Sequence, residues 1–346
     1  MPGRADPRKV AVEDSSSTSA PDQRLEIRTV LAPLDLSAAS MQALHYAIPI
    51  AERFQANLHL VYVHENGLEF SVDAMSQILH ESAEIRTRAH SQGSEAQAAG
   101  DSLIRAENCH VLIGRAYQKA CDFAREVAAD LIILATRGHT GLPRIFLGST
   151  AERIVQFAPC PVLVTRQRTR PGHRIAAEMP ARFEFNPRKI LVPVDFSQCS
   201  LAGLKYAALF ARAFEAKLRL IHVLFPPNPV VVDRISASLS AGSDETRRAN
   251  AQIEMEALVQ LDFLHGVQCE TEICSGYAIQ EICAEIDRSD IDLVITSTHG
   301  QTGIKHALLG SIAEHVVRYA ECPALVVPSG GRENSVSVEG QKTPGL

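Results

Sequence analysis

The chain is predicted to be an α/β protein of two tandem doubly wound domains, each a five-stranded parallel sheet in the order 3-2-1-4-5. Three observations predict it. A fifteen-residue stretch occurs twice, from Ala135 to Ser149 and from Ser297 to Ser311. Short apolar runs alternate with helix-periodic segments through both halves, the pattern of right-handed βαβ crossovers. Matched residues also keep a near-constant separation: 160 from Asp35 to Asp195, and 162 from Gly114 to Gly276, Gly138 to Gly300 and Cys160 to Cys322.

The elements follow in order. Residues 1–25 are polar, with a Ser15–Ser19 cluster, and read as a disordered tail. The first domain, 26–166, opens with an apolar strand ending at Pro33-Leu-Asp35-Leu-Ser37. The second, 188–328, opens with one ending at Pro193-Val-Asp195-Phe-Ser197. Ser37 and Ser197 are the residue type that caps a helix N-terminus. Leu44, Ala47, Ile48 and Ala51, and likewise Leu204, Ala207, Ala208 and Ala211, fall on one helical face. Second strands follow at Asn57–Val63 and Lys217–Val223, then long polar helices at about 74–99 and 244–264. Third strands at His110–Ile113 and Cys269–Ile273 close on Gly114 and Gly276. Fourth strands, Leu131–Leu134 and Leu293–Ile295, lead into the repeated glycine loop. Cys160-Pro and Cys322-Pro then introduce fifth strands, Val162–Thr165 and Ala324–Val327. Residues 167–187, with Pro171-Gly172, Pro180 and several arginines, read as a linker with a solvated face, and 329–346 as a polar tail.

Bulk properties exclude several function classes. A formal net charge of -6 argues against binding nucleic acid by phosphate neutralisation. No apolar run approaches the ~18 residues of a membrane span. The first 24 residues lack the apolar core of a signal peptide, so a cytoplasmic protein is expected. The eight cysteines form no Cys-x-x-Cys pair and no zinc spacing, and read as reduced thiols packed as small hydrophobes.

The functional signal is the repeated loop. A strand that runs into glycines and re-enters a helix at Gly148-Ser149 or Gly310-Ser311 aims backbone N–H groups at one point, an arrangement that binds phosphate. Ligands of doubly wound sheets lie at the carboxyl ends of the strands where the winding reverses. With strands one and four adjacent there, the Asp motif and the glycine loop meet in one cleft. The bland readings stand beside this: glycines serving a tight turn alone, and Asp35 and Asp195 capping their helices alone. His139, Arg144, His299 and His306 read as surface or packing residues.

Pro-x-Asp-x-Ser after strand one, Gly-x9-Gly-Ser after strand four and Cys-Pro before strand five together resemble the universal stress protein family, across both repeats. The resemblance implies a Rossmann-like domain of the adenine nucleotide alpha hydrolase type, and ATP as ligand. It places Asp35 and Asp195 at the adenine end with Pro33 and Pro193 beside them. Backbone groups of Val63 and Val223 would hold the base, and Ala135 and Ser297 would stand by the ribose. Gly138 and Gly300 would admit the phosphates, and the N–H groups of Gly148, Ser149 and Thr150, or Gly310, Ser311 and Ile312, would bind them. The Ser149 and Ser311 hydroxyls would contact a terminal phosphate or a Mg²⁺ ion beside it. The sequence departs from the family at the loop's first glycine, replaced by Ala135 and Ser297.

Three functions remain open: a nucleotide-responsive stress or signalling module acting on an unknown protein partner, a slow ATPase, and a structural interaction protein with empty clefts. No Gly-x4-Gly-Lys-Ser/Thr loop supports fast phosphoryl transfer. Strand five, apolar and at a sheet edge, needs a partner. The fifth strands of the two repeats are expected to pair antiparallel, making an intramolecular pseudo-dimer. A homodimer of tandem chains is compatible with this.

Overall fold

Thr29–Leu34 buries Val30, Leu31, Ala32 and Leu34, the near-continuous burial of a strand covered on both faces by helices. The same rule shapes every central strand in this computed structural model, which describes residues 24–65, 106–135, 147–165, 169–170, 173–174, 185–225, 234–298 and 310–328. The first repeat contains β1 (Thr29–Leu34), α1 (Ala38–Gln42), α2 (Leu44–Phe54), β2 (Asn57–His64), β3 (Cys109–Ile113), α3 (Ala116–Glu126), β4 (Leu131–Ala135), α4 (Ser149–Phe157) and β5 (Val162–Thr165). A two-residue ladder joins β6 (Thr169–Arg170) to β7 (His173–Arg174). The second repeat contains β8 (Lys189–Pro193), α5 (Gln198–Phe214), β9 (Lys217–Leu224), α6 (Arg234–Val259), β10 (Cys269–Ser275), α7 (Ala278–Arg288), β11 (Leu293–Ser297), α8 (Ser311–Tyr319) and β12 (Ala324–Val327).

Both repeats have the strand order 3-2-1-4-5, all parallel, and they merge into one ten-stranded sheet. The join is antiparallel: Val162 faces Val326, Leu163 faces Leu325 and Val164 faces Ala324. Neither fifth strand is left as an open edge. Each fifth strand is buried along its whole length.

Each face of the sheet carries a second bond between repeats. On one face Phe185 stands edge-on to Tyr46 of α2, with ring centroids 5.4 Å apart, and to Phe214 of α5 at 5.7 Å. Arg53 of α2 lies over the Phe214 ring at 4.6 Å and donates to the Ala213 carbonyl. On the other face Arg318 of α8 pairs with Glu314 at 2.9 Å and reaches Glu152 of α4 at 3.8 Å. Phe185, within the segment read as linker, and Leu25, within the segment read as tail, are therefore core residues.

Two elements differ from the sequence reading. The helix after β1 is continuous in the second repeat but interrupted at Ala43 in the first. The matching residue is Gly203, where an added Cβ would stand 3.4 Å from the Ser297 backbone nitrogen. That is ordinary contact, so the methyl of Ala43 fits; the interruption itself is a tightened turn, with the Ala43 N–H bonded to the Ser40 carbonyl at 3.0 Å. Helix α6 begins at Arg234, earlier than its polar sequence suggests, and ends at Val259; its expected counterpart at 74–99 lies outside the described residues.

Val164→Asp tests the join. A carboxylate on this buried strand lacks a partner, so a loss of roughly 3 kcal/mol or more is expected. Calorimetry should show one cooperative transition in the parent and earlier, separated transitions in the variant.

Candidate functional site

At the amino edge of the sheet the central strands are clipped together. One oxygen of Asp130 accepts from the backbone N–H of Arg28 at 2.8 Å and of Thr29 at 3.0 Å. Asp292 repeats this with Arg188 at 2.9 Å and Lys189 at 3.1 Å. Neither aspartate stood out in the sequence; their 162-residue separation was the available signal.

At the carboxyl edge the same strands part. β1 registers with β4 only at Val30–Leu131 and Leu31–Ile132, and β8 with β11 only at Ile190–Leu293 and Leu191–Val294. Proline is the cause. In a parallel strand successive residues direct their N–H and C=O groups to opposite neighbours. Thr29 C=O bonds toward β4 and Arg28 C=O toward β2, so position 33 directs its backbone toward β4. Pro33 has no N–H to give, and the ladder stops. Pro193 occupies the equivalent place against β11, since Lys189 C=O bonds toward that strand. A crevice opens between the first and fourth strands of each repeat, at the topological switch point.

The same alternation orients the other predicted residues. β2 runs past β1: their register ends at Leu34–Tyr62, while β2 and β3 continue to His64–Ile113. His64 C=O bonds toward β3, so Val63 directs its backbone toward the β1 side, beyond the paired end of β1. Val223 does likewise, with Leu224 C=O bonded toward β10. On the fourth strands, Ile132 N–H bonds to Pro161 and Thr298 N–H to Val327, so Ala135 and Ser297 turn their backbone toward the crevice. Three strands thus converge on each crevice.

One lip of each crevice is an acidic turn. Asp35 Oδ1 accepts from the Ser37 N–H at 3.0 Å and the Ser37 hydroxyl at 2.6 Å. Asp195 Oδ1 accepts from the Ser197 N–H at 3.0 Å. Ser37 and Ser197 in turn cap their helices, accepting from Ser40 and Ser200 N–H at 3.1 Å. The intervening residues, Leu36 and Phe196, have φ of 62° and 61°, the left-handed region. Holding a non-glycine residue there costs about 1–2 kcal/mol. Its recurrence at matched positions means the turn shape is being maintained. Phe196 is braced by His222, ring to ring at 4.4 Å, and His222 Nδ1–H donates to the Val194 carbonyl at 2.8 Å. Sequence reading missed this strained pair because nothing in Leu or Phe announces positive φ.

The other lip is a helix N-terminus. Gly148 and Gly310 are the N-caps of α4 and α8, and the first helical bonds run from Glu152 N–H to Gly148 C=O and from Glu314 N–H to Gly310 C=O. The helices therefore supply no partner for the N–H groups of Ser149 and Thr150, or Ser311 and Ile312. Ser149, Thr150 and Ser311 are exposed. Gly310 is a correction: its N–H, expected to face a ligand, donates to Thr298 C=O at 2.6 Å and ties the helix start to the end of β11. Gly138 and Gly300, with His139, Arg144, His299 and His306, lie outside the described residues.

None of the described thiols is in a disulfide, and Cys109, Cys121, Cys160 and Cys322 are buried. Burial pushes the Cys121 thiol up to about 11 and that of Cys160 further still, so both stay protonated as packing groups. Among the described residues no cluster of three or more His, Cys, Asp or Glu could hold a metal ion, and no helix is long and apolar enough to cross a membrane.

An acidic turn and a helix start at a switch-point crevice, built twice on one sheet, define a tandem Rossmann-like fold. Its lineage is equally plain: residues 26–166 and 186–328 both match the universal stress protein family, and the chain belongs to it. Slr1230 of Synechocystis, a universal stress protein, is 23% identical over 86% of this chain and 99% of its own length. The Methanocaldococcus jannaschii universal stress protein MJ0531 is 32% identical over 42% of this chain and 85% of its own. Among solved structures, a functionally unknown Pseudomonas aeruginosa protein, PA1789, shares the fold with a TM-score of 0.57 at 20% identity, over 87% of this chain and 92% of that one. A universal stress protein from Archaeoglobus fulgidus shares it with a TM-score of 0.52 at 19% identity, over 87% and 98%.

Removing a cap tests the acidic lip. Ser197→Ala leaves the Ser200 N–H without its acceptor and should cost about 0.5–2 kcal/mol. Urea unfolding should show a lower midpoint at unchanged slope.

Proposed function

We propose that both crevices bind an adenine nucleotide, ATP in the first instance, and that the protein is a nucleotide-responsive stress module. The observation that carries this reading is the convergence of three crevice-facing strand ends and a helix N-terminus, twice. Val63 and Val223 offer outward backbone groups suited to a purine edge. Asp35 and Asp195 shape the turn at the adenine end, beside Pro33 and Pro193, through the Oδ1 bonds that hold the left-handed residue. Ala135 and Ser297 stand at the ribose, and Gly138 and Gly300 admit the phosphates. The N–H groups of Gly148, Ser149 and Thr150, and of Ser311 and Ile312, receive the anion with the helix dipole behind them. A Mg²⁺ ion would accompany the terminal phosphate at the Ser149 or Ser311 hydroxyl.

The arrangement favours holding over cleaving. Glu152 and Glu314 stand in the first turn of α4 and α8, and Arg318 pairs with both carboxylates. The sequence shows no Gly-x4-Gly-Lys-Ser/Thr loop and no base set to activate a water, so turnover should be slow. Signalling would then depend on occupancy read by a protein partner of unknown identity.

Calorimetric titration with ATP is the direct test. Gly310→Trp should lower affinity at the second crevice by at least about tenfold, because an indole would fill the space before the helix start. Unchanged affinity would remove the site. If the parent retains no nucleotide by mass spectrometry and binds none in solution, the interaction-protein reading replaces this one. A second test concerns chemistry: fewer than about one turnover per second is expected. A faster rate abolished by Asp195→Asn would make the protein an ATPase.

A further inference from the structure

The two repeats differ most sharply at one matched place, where the helix after strand three docks on the sheet. In the second repeat that place holds an ion cluster. Glu285 of α7, whose side chain is 0% exposed, pairs with Arg219 of β9 and Arg288 of its own helix and accepts from the Ser289 hydroxyl. Arg219 also pairs with Glu270 at 3.0 Å and Glu272 at 3.2 Å on β10. Burial pushes the Glu285 carboxyl up, but the bonds from Ser289, Arg288 and Arg219 together hold it below its ordinary 4.5.

In the first repeat the positions of Arg219, Glu272 and Glu285 are taken by His59, His110 and Phe123. His59 Nδ1 and His110 Nε2 are 3.1 Å apart, their rings stacked at 5.3 Å. Phe123 of α3 packs on both, at 5.9 Å from His59 and 4.5 Å from His110. One facing nitrogen must carry a proton and the other must accept it. A fully protonated pair presents two donors to each other and two like charges on a half-buried surface, so the bond is lost. Burial lowers both histidines below their ordinary 6.5; mutual repulsion lowers His59 further, and Glu126 of α3 partly opposes the shift at His110. Leu31 of β1 lies beside His59, so that neighbour adds no charge.

We propose that this histidine pair is an acid-sensitive latch for α3, confined to the first repeat. The folded state binds protons less readily than the unfolded chain. The stability the pair contributes is present above about 6.5, the unfolded value, and is lost as pH falls through and below it. Glu285, also depressed, keeps its contribution until pH falls below 4.5. Between these limits the first repeat loosens while the second holds. The consequence reaches the proposed ligand cleft, because α3 braces α4. Arg153 of α4 lies over the Tyr117 ring at 4.8 Å, and Arg125 of α3 donates to the Phe157 carbonyl at 3.1 Å. Undocking α3 therefore frees the helix whose start forms one lip of the first crevice. This consequence rests on the nucleotide reading; the latch itself does not.

Hydrogen exchange on the full chain without nucleotide separates the two. Amides of α3 are expected to lose protection, after correction for intrinsic rate, between pH 7.5 and 5.5, while those of α7 keep theirs. In the double variant His59→Phe, His110→Phe the loss should disappear. Should that variant fail to fold, ring-proton NMR of the parent decides: the two histidines must titrate as a coupled pair below 6.5 as α3 opens. Equal loss in α3 and α7, no loss in α3, or independent ordinary titrations would overturn the latch. ATP affinity of the first crevice falling over the same pH range, with the second unchanged, would extend it to ligand control.

Discussion

In each repeat the first and fourth strands are held together at one end and forced apart at the other. Asp130 and Asp292 clip the amino edge, each taking two backbone N–H groups on a single oxygen. Pro33 and Pro193 end the ladder two residues beyond its last registered pair. The ladder stops short of the strand tips at the point where the winding reverses, and the crevice lies there. Clip and proline act as a hinge with a wedge. Every feature of the candidate site, from the outward Val63 and Val223 backbone to the helix starts opposite, depends on that opening.

The wedge has a local cost that the surroundings hold in place. Beyond the proline the chain turns through Leu36 or Phe196 with positive φ, and Asp35 or Asp195 fixes the turn by bonding two residues ahead. In the second repeat Phe196 and His222 add a tilted ring-to-ring brace. The first repeat has Leu36 and Tyr62 at those positions and does without the imidazole-to-carbonyl bond. The two turns thus share their backbone conformation and differ in their bracing.

Duplication also set the two sites on one body. Apolar fifth strands that would be exposed in a single domain pair with each other, and aromatic and ionic contacts close the join on both faces. Arg318 is the most economical of these contacts: one guanidinium serves the first-turn carboxylates of both site helices. The contact ties the first turn of one helix to that of the other across the join.

The sequence by itself determined the fold class, the duplication, the strand order, the Ser caps and the two motifs flanking each crevice. It could do so because these rest on local signals: hydrophobic period, turn chemistry and a repeat spacing legible in one dimension. It misplaced Leu25 and Phe185, whose burial depends on helices from both repeats meeting around them. It also offered the Gly310 N–H to a ligand, when the fold gives that hydrogen to Thr298. Which way a backbone group points, and which His, Arg or Glu becomes a neighbour across strands, follows from register and packing between residues 50 to 160 apart in the chain. Those separations leave no trace in local pattern. Only the tertiary structure could decide that His59 meets His110, that Arg219 meets Glu285, and that Pro33 and Pro193 face the strand from which the crevice opens.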